Sequence, residues 1–139
     1  MKRIFLLTIL SASLLAAQPA SRWVSFFLAT DNSVGYYDNE TVQYRASDNQ
    51  YATAWVKLVE PGGAFTVLHF EVHAKTRHMR CLSFAHYDAA GVQTASSSEA
   101  TAWDDIIPES LADRLFHRLY RPAGESAPTS PPARRYDNL

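Results

Sequence analysis

The stretch from Tyr51 to Ser98 places the strongest constraint on the fold, because strand-forming runs alternate there with short turn segments. The runs are rich in Val, Thr, Phe, Tyr and Trp, and in order they are YATAWVKLV, AFTVLHFEVH, HMRCLSFAHY and VQTASSS. Turn residues separate them at 60–63, 74–77 and 88–91. This pattern predicts consecutive antiparallel strands joined by short turns, which is a meander sheet.

Two more strands are predicted ahead of this stretch. Residues 22–28 (RWVSFFL) and 34–37 (VGYY) are rich in aromatic residues and Val, and 31–33 (DNS) has the composition of a turn. The connector 38–49 follows, and a short extra strand at 42–45 is an alternative within it. The expected sheet therefore has about six strands.

One amphipathic helix is predicted near the end of the domain. Leu111, Leu115 and Leu119 recur at i, i+4 and i+8, so they lie on one side of a helix. Pro108 favours a helix start nearby, and Pro122 ends the pattern. A helix packed on one face of an antiparallel sheet gives an α+β fold.

The register of the central strands follows from the turn lengths. If the first two turns contain four residues each, the cross-strand neighbours are Trp55 and Leu68, His69 and Leu82, Glu71 and Arg80, and His73 and His78. The Glu71–Arg80 pair would contribute about 0.2–1 kcal/mol. The face assigned to the core, beneath the helix, carries Trp55, Leu68, Phe70, Val72, Met79 and Cys81.

The opposite face is also expected to be apolar near its middle. Its members in this register are Val56, Leu58, Phe65, Val67, Leu82 and Phe84. Either the connectors 38–49 and 99–107 cover this face, or it binds a protein partner or a second copy of the chain as a homodimer. The candidate contact residues are Val56, Phe65, Val67 and Phe84, together with His73 and His78 at a hairpin tip.

The two ends of the chain have the composition of processed and disordered segments. Lys2 and Arg3 precede an apolar run at 4–15, which is typical of a secretory signal peptide, and cleavage is expected after Ala17. A buried first helix or strand is the alternative. The run is shorter than the roughly 20 residues that a membrane span needs. The expected organisation is a signal peptide at 1–17, one domain at 18–120 and a disordered Pro-rich tail at 121–139.

Charge and cysteine content exclude several classes. The chain has 13 Lys and Arg against 14 Asp and Glu; without Lys2 and Arg3 this becomes 11 against 14, a net charge of −3. An acidic domain is a poor candidate for nucleic-acid binding, which needs a basic face. Cys81 is the only cysteine, so an intramolecular disulfide is excluded.

The residues that could carry chemistry do not combine into a known site. His73 and His78 are near enough to share an ion, but zinc usually takes at least three protein ligands, so a solvated pair is favoured. Ser96–Ser98 lacks a nucleophile-elbow sequence, Asp104 and Asp105 are adjacent loop acids, and no phosphate-binding glycine loop is present. We therefore expect neither an enzyme nor a cofactor.

The order of motifs along residues 22–120 resembles the surface-adhesin protein E family of Gram-negative bacteria. The matching segments are RWVSFF, VGYYDNETV, AWVKLVEP, FEVHAKTRHMRCLSFAHYDAAGV, the serine-rich strand end, Trp103 ahead of IPES, and LADRLFHRLY. The resemblance implies a six-stranded antiparallel sheet with a C-terminal helix. It also implies a role in binding host extracellular proteins or cell surfaces, and haem as a further ligand.

One departure from the family concerns cysteine. Members often carry two cysteines that can form a bridge, and the resemblance places these at Ala74 and Tyr120 here. Both are missing together, and Cys81 replaces neither. Packing of the helix must then compensate for about 2–5 kcal/mol.

The leading functional prediction is a non-enzymatic exported binding protein that contacts host extracellular or envelope proteins. It would act in the periplasm or at the outer cell surface of a Gram-negative bacterium. The alternatives are a periplasmic housekeeping module and a haem or metal carrier that uses its histidines.

Overall fold

The computed structural model describes residues 22–47 and 49–120, which form an eight-stranded antiparallel sheet and one helix. The elements are β1 (Trp23–Leu28), β2 (Val34–Asp38), β3 (Gln43–Arg45), β4 (Tyr51–Val59), β5 (Phe65–His73), β6 (His78–Tyr87), β7 (Gln93–Ser97), β8 (Asp104–Asp105) and α1 (Leu111–Tyr120). The predicted α+β class is confirmed at this level. The predicted signal peptide at 1–17 and tail at 121–139 lie outside the described residues.

Six strands follow a single path through the sheet, and two short strands fill its edges. The path runs β1-β2-β4-β5-β6-β7, which agrees with the predicted meander. β2 and β3 share one edge of β4, whereas β7 and β8 share one edge of β6. β3 corresponds to the alternative strand at 42–45, and β8 was not predicted.

The sheet has one face under α1, the helix face, and an opposite face, the open face. On β4, Ala52, Ala54 and Val56 point to the helix face and are 0%, 1% and 0% exposed. Their small size lets the helix approach closely. The buried core cluster comprises Phe26, Ala52, Ala54, Val56, Val72, Met79, Ile106, Leu115 and Leu119. The predicted packing of the helix against Val72 and Met79 is therefore confirmed.

The helix is fixed at its start by local hydrogen bonds and by a contact with the β5–β6 turn. The Ser110 hydroxyl accepts the Asp113 N–H at 3.2 Å, and the Asp113 carboxylate accepts the Glu109 N–H at 3.0 Å. These acceptors satisfy N–H groups that a helix start leaves unpaired. Arg77 donates to Asp113 at 2.8 Å and lies 4.4 Å from the centre of the Phe116 ring. Within the described residues, no helix has the length and apolar character needed to cross a membrane.

The predicted register between β4 and β5 is wrong by one residue. The turn contains five residues, 60–64, because the Glu60 N–H donates to the Ala64 carbonyl at 2.9 Å. Trp55 consequently lies opposite His69 on the open face, and Val56 lies opposite Leu68 on the helix face. A shift of one residue moves every side chain of a strand to the other face.

The predicted register between β5 and β6 is right only near the turn. Glu71 lies opposite Arg80 and His73 opposite His78, as predicted. Beyond Cys81, β6 contains one extra residue, so His69 lies opposite Ser83 rather than Leu82. Such a bulge reverses the faces of the residues that follow.

The predicted apolar patch is therefore not one surface. Val56 is completely buried, so the prediction that it is an exposed contact is wrong. Phe84 is 37% exposed but lies opposite Leu68 on the helix face. Phe65 and Val67 do lie on the open face.

Candidate ligand-binding surface on the open face

Flat rings stack in pairs across neighbouring strands of the open face. Trp55 stacks on His69 with ring centres 4.3 Å apart and planes 6° apart. Phe65 stacks on Tyr87 at 4.8 Å and 14°. Both pairs are direct cross-strand neighbours, in which such contacts stabilise a sheet by about 0.2–1 kcal/mol each. Stacking thus leaves these rings half-buried although α1 lies on the other face of the sheet.

A lysine connects the stacked pairs to β1. The Lys57 ammonium lies 4.4 Å from the centre of the Trp23 ring and 5.8 Å from that of Phe65. Burial lowers the pKa of His69, which favours the neutral form of its imidazole. The ring surface is the name used below for Trp23, Trp55, Lys57, Phe65, Val67, His69 and Tyr87.

A second group of rings, the corner pocket, lies where the β5–β6 turn meets β4. It is lined by Tyr51, His73, Thr76, His78 and Trp103, and its volume is about 320 Å³. Tyr51 and His73 are parallel, with ring centres 4.3 Å apart and planes 1° apart. The Trp103 ring is 6.4 Å from both and is tilted by 59° and 60°.

A buried carboxylate separates the ring surface from the corner pocket. Glu71 is 2% exposed, and its Oε2 accepts from Arg80 Nε at 2.7 Å and pairs with Arg80 Nη2 at 2.6 Å. Its other oxygen pairs with Arg45. The Arg80 guanidinium lies 4.5 Å from the centre of the Trp103 ring, and that of Arg45 lies 5.5 Å from Tyr51. The predicted Glu71–Arg80 pair is confirmed, and it also orients two rings of the corner pocket.

The two predicted histidines face each other, but their ring nitrogens are engaged by protein groups. His73 Nδ1 is 2.7 Å from Thr76 Oγ1, and His73 Nε2 is 3.4 Å from Gln50 Oε1. His78 Nε2 pairs with Asp105 Oδ1 at 2.9 Å. Across 22–47 and 49–120, no group of three His, Cys, Asp or Glu residues is placed to hold a metal ion. Binding of an ion by this pair would therefore compete with existing hydrogen bonds.

Sequence reasoning missed Tyr51 and Trp103, which line the corner pocket, and Arg45, which lies over Tyr51. Tyr51 begins the run whose register was misplaced by one residue, which hid its position opposite His73. Trp103 precedes β8 in a connector whose path depends on tertiary contacts. A signal was nevertheless present, because Tyr51, Thr53, Trp55 and Lys57 alternate with Ala52, Ala54 and Val56. That alternation indicates a strand with a face of small residues in the core.

Cys81 lies at the edge of the core rather than at either ring cluster. It is half-buried, and burial raises the pKa of its thiol. The Cys81 Sγ donates to the Ser83 carbonyl at 3.2 Å.

Comparison with protein-family models, with curated proteins and with solved structures finds no match to this chain. The resemblance to the surface-adhesin protein E family stays a prediction.

Proposed function

We propose that this chain is an exported, non-enzymatic binding protein of the surface-adhesin protein E type, which contacts host extracellular or envelope proteins through its ring surface. The observation that carries the proposal is the set of large rings on the open face, which α1 leaves uncovered. Aromatic anchors dominate the energetics of protein interfaces. Rings that are already stacked lose little conformational freedom on binding.

A contact near the helix end joins Ala74 and Tyr120 to the backbone of Gln50. The Ala74 N–H donates to the Gln50 carbonyl at 2.7 Å, and the Tyr120 hydroxyl donates to the same oxygen at 3.3 Å. Ala74 and Tyr120 are the positions at which the resemblance places bridging cysteines. The amide of Ala74 and the end of the long Tyr120 side chain thus meet at the Gln50 carbonyl.

The candidate catalytic residues have environments that favour a non-enzymatic role. Asp105 is 87% exposed in its side chain and pairs with His78. The Ser96 hydroxyl accepts a hydrogen bond from the Gln93 amide at 3.2 Å. Neither arrangement places a base next to a nucleophile.

The binding test compares two phenylalanines on opposite faces. Purified mature protein from Gln18 would be applied to cultured epithelial monolayers and to isolated outer membranes. Phe65→Ser removes a ring from the ring surface and is expected to weaken binding about tenfold, which is about 1.4 kcal/mol. Phe84→Ser is the matched control, because Phe84 lies on the helix face and is partly exposed.

Two results would contradict this proposal. Unchanged binding by Phe65→Ser, with an unchanged urea midpoint, would show that the ring surface is not the contact. If Phe65→Ser only dissociates a homodimer in sedimentation, the ring surface is a self-association interface instead.

The compartment is tested by protease treatment of intact cells beside a periplasmic control protein. Digestion of this chain with the control spared supports contact with host proteins. Protection until the outer membrane is breached contradicts host contact and leaves an envelope protein as the partner.

A further inference from the structure

The corner pocket has the size of a site for one small ligand. Its volume of about 320 Å³ lies at the lower end of the range of about 300–1,000 Å³ that is usual for such sites. The row of Glu71 and its two arginines separates it from the ring surface. A ligand here would therefore be bound independently of a protein partner on the ring surface.

The walls of the corner pocket meet at an angle. His73, stacked on Tyr51 through one of its faces, forms one wall, and Trp103, tilted by about 60° to both rings, forms the other. A flat aromatic ligand would stack well on only one of two such walls. A puckered saturated ring can present C–H groups to both walls, where carbon-bound hydrogens favour contact with π systems.

The walls are held in position before any ligand arrives. Glu71 is buried and binds both Arg45 and Arg80, which lie over Tyr51 and Trp103 respectively. His73 is fixed by hydrogen bonds at both ring nitrogens. Preformed walls reduce the entropy cost of binding a small ligand.

Charge around the pocket is compensated by protein groups. Both arginines face Glu71, and His78 faces Asp105. The guanidinium groups of Arg45 and Arg80 place two positive charges beside these rings, so a cationic ligand would be repelled. A neutral ligand matches this balance best.

Polar groups line the accessible rim of the same pocket. The Thr76 hydroxyl and the His78–Asp105 pair provide both donors and acceptors. Asp105 adjoins the pocket through its pair with His78, and its side chain is 87% exposed. Hydroxyl groups are the ligand groups that suit such a mixed rim.

We propose that the corner pocket binds a neutral saccharide, with the C–H faces of a pyranose against the rings and its hydroxyls at the rim. The inference goes beyond the proposed protein-binding function and uses different residues. Saccharides attached to a protein or free in solution would present the same ring and hydroxyl groups.

The test titrates full-length mature protein with free neutral hexoses and their short oligomers, and with sulfated and sialylated oligosaccharides. Tryptophan fluorescence and saturation-transfer NMR report binding. We expect dissociation constants of about millimolar for single neutral sugars. Trp103→Ala should weaken binding about tenfold, since the loss of a stacked ring costs about that much.

A second variant and a control protect the test against misfolding. His78→Ala removes a rim group and keeps the Tyr51, His73 and Trp103 rings, so it should weaken binding severalfold, while Phe84→Ser on the helix face should leave the affinity unchanged. The proposal is overturned if no neutral sugar binds at about 10 mM. Preference for sulfated or sialylated sugars, or an affinity that Trp103→Ala leaves unchanged, would overturn it as well.

Discussion

The helix face and the open face take side chains of opposite size from the same strand. On β4, Ala52, Ala54 and Val56 are completely buried against α1 and its neighbours, whereas Tyr51 and Trp55 stack on histidines of β5. The small residues make room for a helix. The large rings shield one another by stacking, so that among the residues the structure describes one helix of ten residues accompanies a sheet of eight strands.

This division separates stability from recognition. The helix face removes Leu115 and Leu119 almost completely from water, with 0% and 6% exposure. The ring surface stays half-buried and retains area for contacts. Substitutions on the helix face should therefore act mainly on the free energy of unfolding, and substitutions on the ring surface mainly on binding.

Leu115→Ala is expected to have the largest effect on stability. Removing a fully buried leucine leaves a cavity and should lower the free energy of unfolding by about 3–4 kcal/mol, as measured by urea denaturation. Leu111→Ala, at a half-buried position of the same helix, is the control and should cost less. Similar losses of stability in both variants would show that burial of Leu115 contributes no more than that of the half-buried Leu111.

Glu71→Gln should lower stability by about 2–3 kcal/mol, because it weakens the link between two arginines at a buried position. Trp103 fluorescence should change as well, since Arg80 lies against its ring. Glu99→Gln changes an exposed acid and serves as the control. A fluorescence spectrum identical to that of the unsubstituted protein would contradict the role of Glu71 in orienting the corner pocket.

Trp55→Ala is expected to cost only about 1–2 kcal/mol of stability, since its ring is half-buried and stacked on one side. The affinity for a protein partner should fall by more than the fraction of unfolded protein produced by this substitution can explain. Ile107→Ala, an exposed apolar control away from the ring surface, should change neither quantity. A loss as large as that of Leu115→Ala would place Trp55 in the core and abolish the distinction between the faces.

The smallest expected effects are on the pH dependence of stability, which should also divide between the faces. The hydrogen bond from Arg22 lowers the pKa of Asp38, which lies opposite Trp23 on the open face. Its contribution is present above pH 3.8 and is lost as the pH falls below that value. Burial, with a smaller effect of Tyr44, raises the pKa of Tyr120 to about 12, so its contribution is present below about pH 10 and is lost as the pH rises towards 12.

Two substitutions test the acid and alkaline limbs of a curve of stability against pH, and each is the control for the other. Asp38→Asn should flatten the acid limb of a stability–pH curve and spare the alkaline limb. Tyr120→Phe should do the reverse. Parallel changes in both limbs would show that the two groups titrate with global unfolding rather than locally.

Local patterns sufficed to predict the six strands of the main path, the helix and the pairing of Glu71 with Arg80, because these depend on residue alternation and one four-residue turn. Two single-residue differences defeated the assignment of faces. Ala64 belongs to the first turn although it directly precedes the strand run that starts at Phe65, and Leu82 adds one residue to β6. Neither residue is of a type that marks a turn or a bulge. The approach of Trp103 to Tyr51 and His73 joins distant parts of the chain, which no local pattern encodes.

The short strands at the borders of the sheet have a consequence for aggregation. β1 and β3 along one side, and β7 and β8 along the other, contain six, three, five and two residues. The unpaired backbone N–H and C=O groups at the sheet edges therefore lie on short, interrupted strands rather than on the long central ones, which gives another chain little edge to pair with. Division of each sheet edge into two short strands should oppose fibril formation, even though the edge strand β7 has neither a charged residue nor a proline.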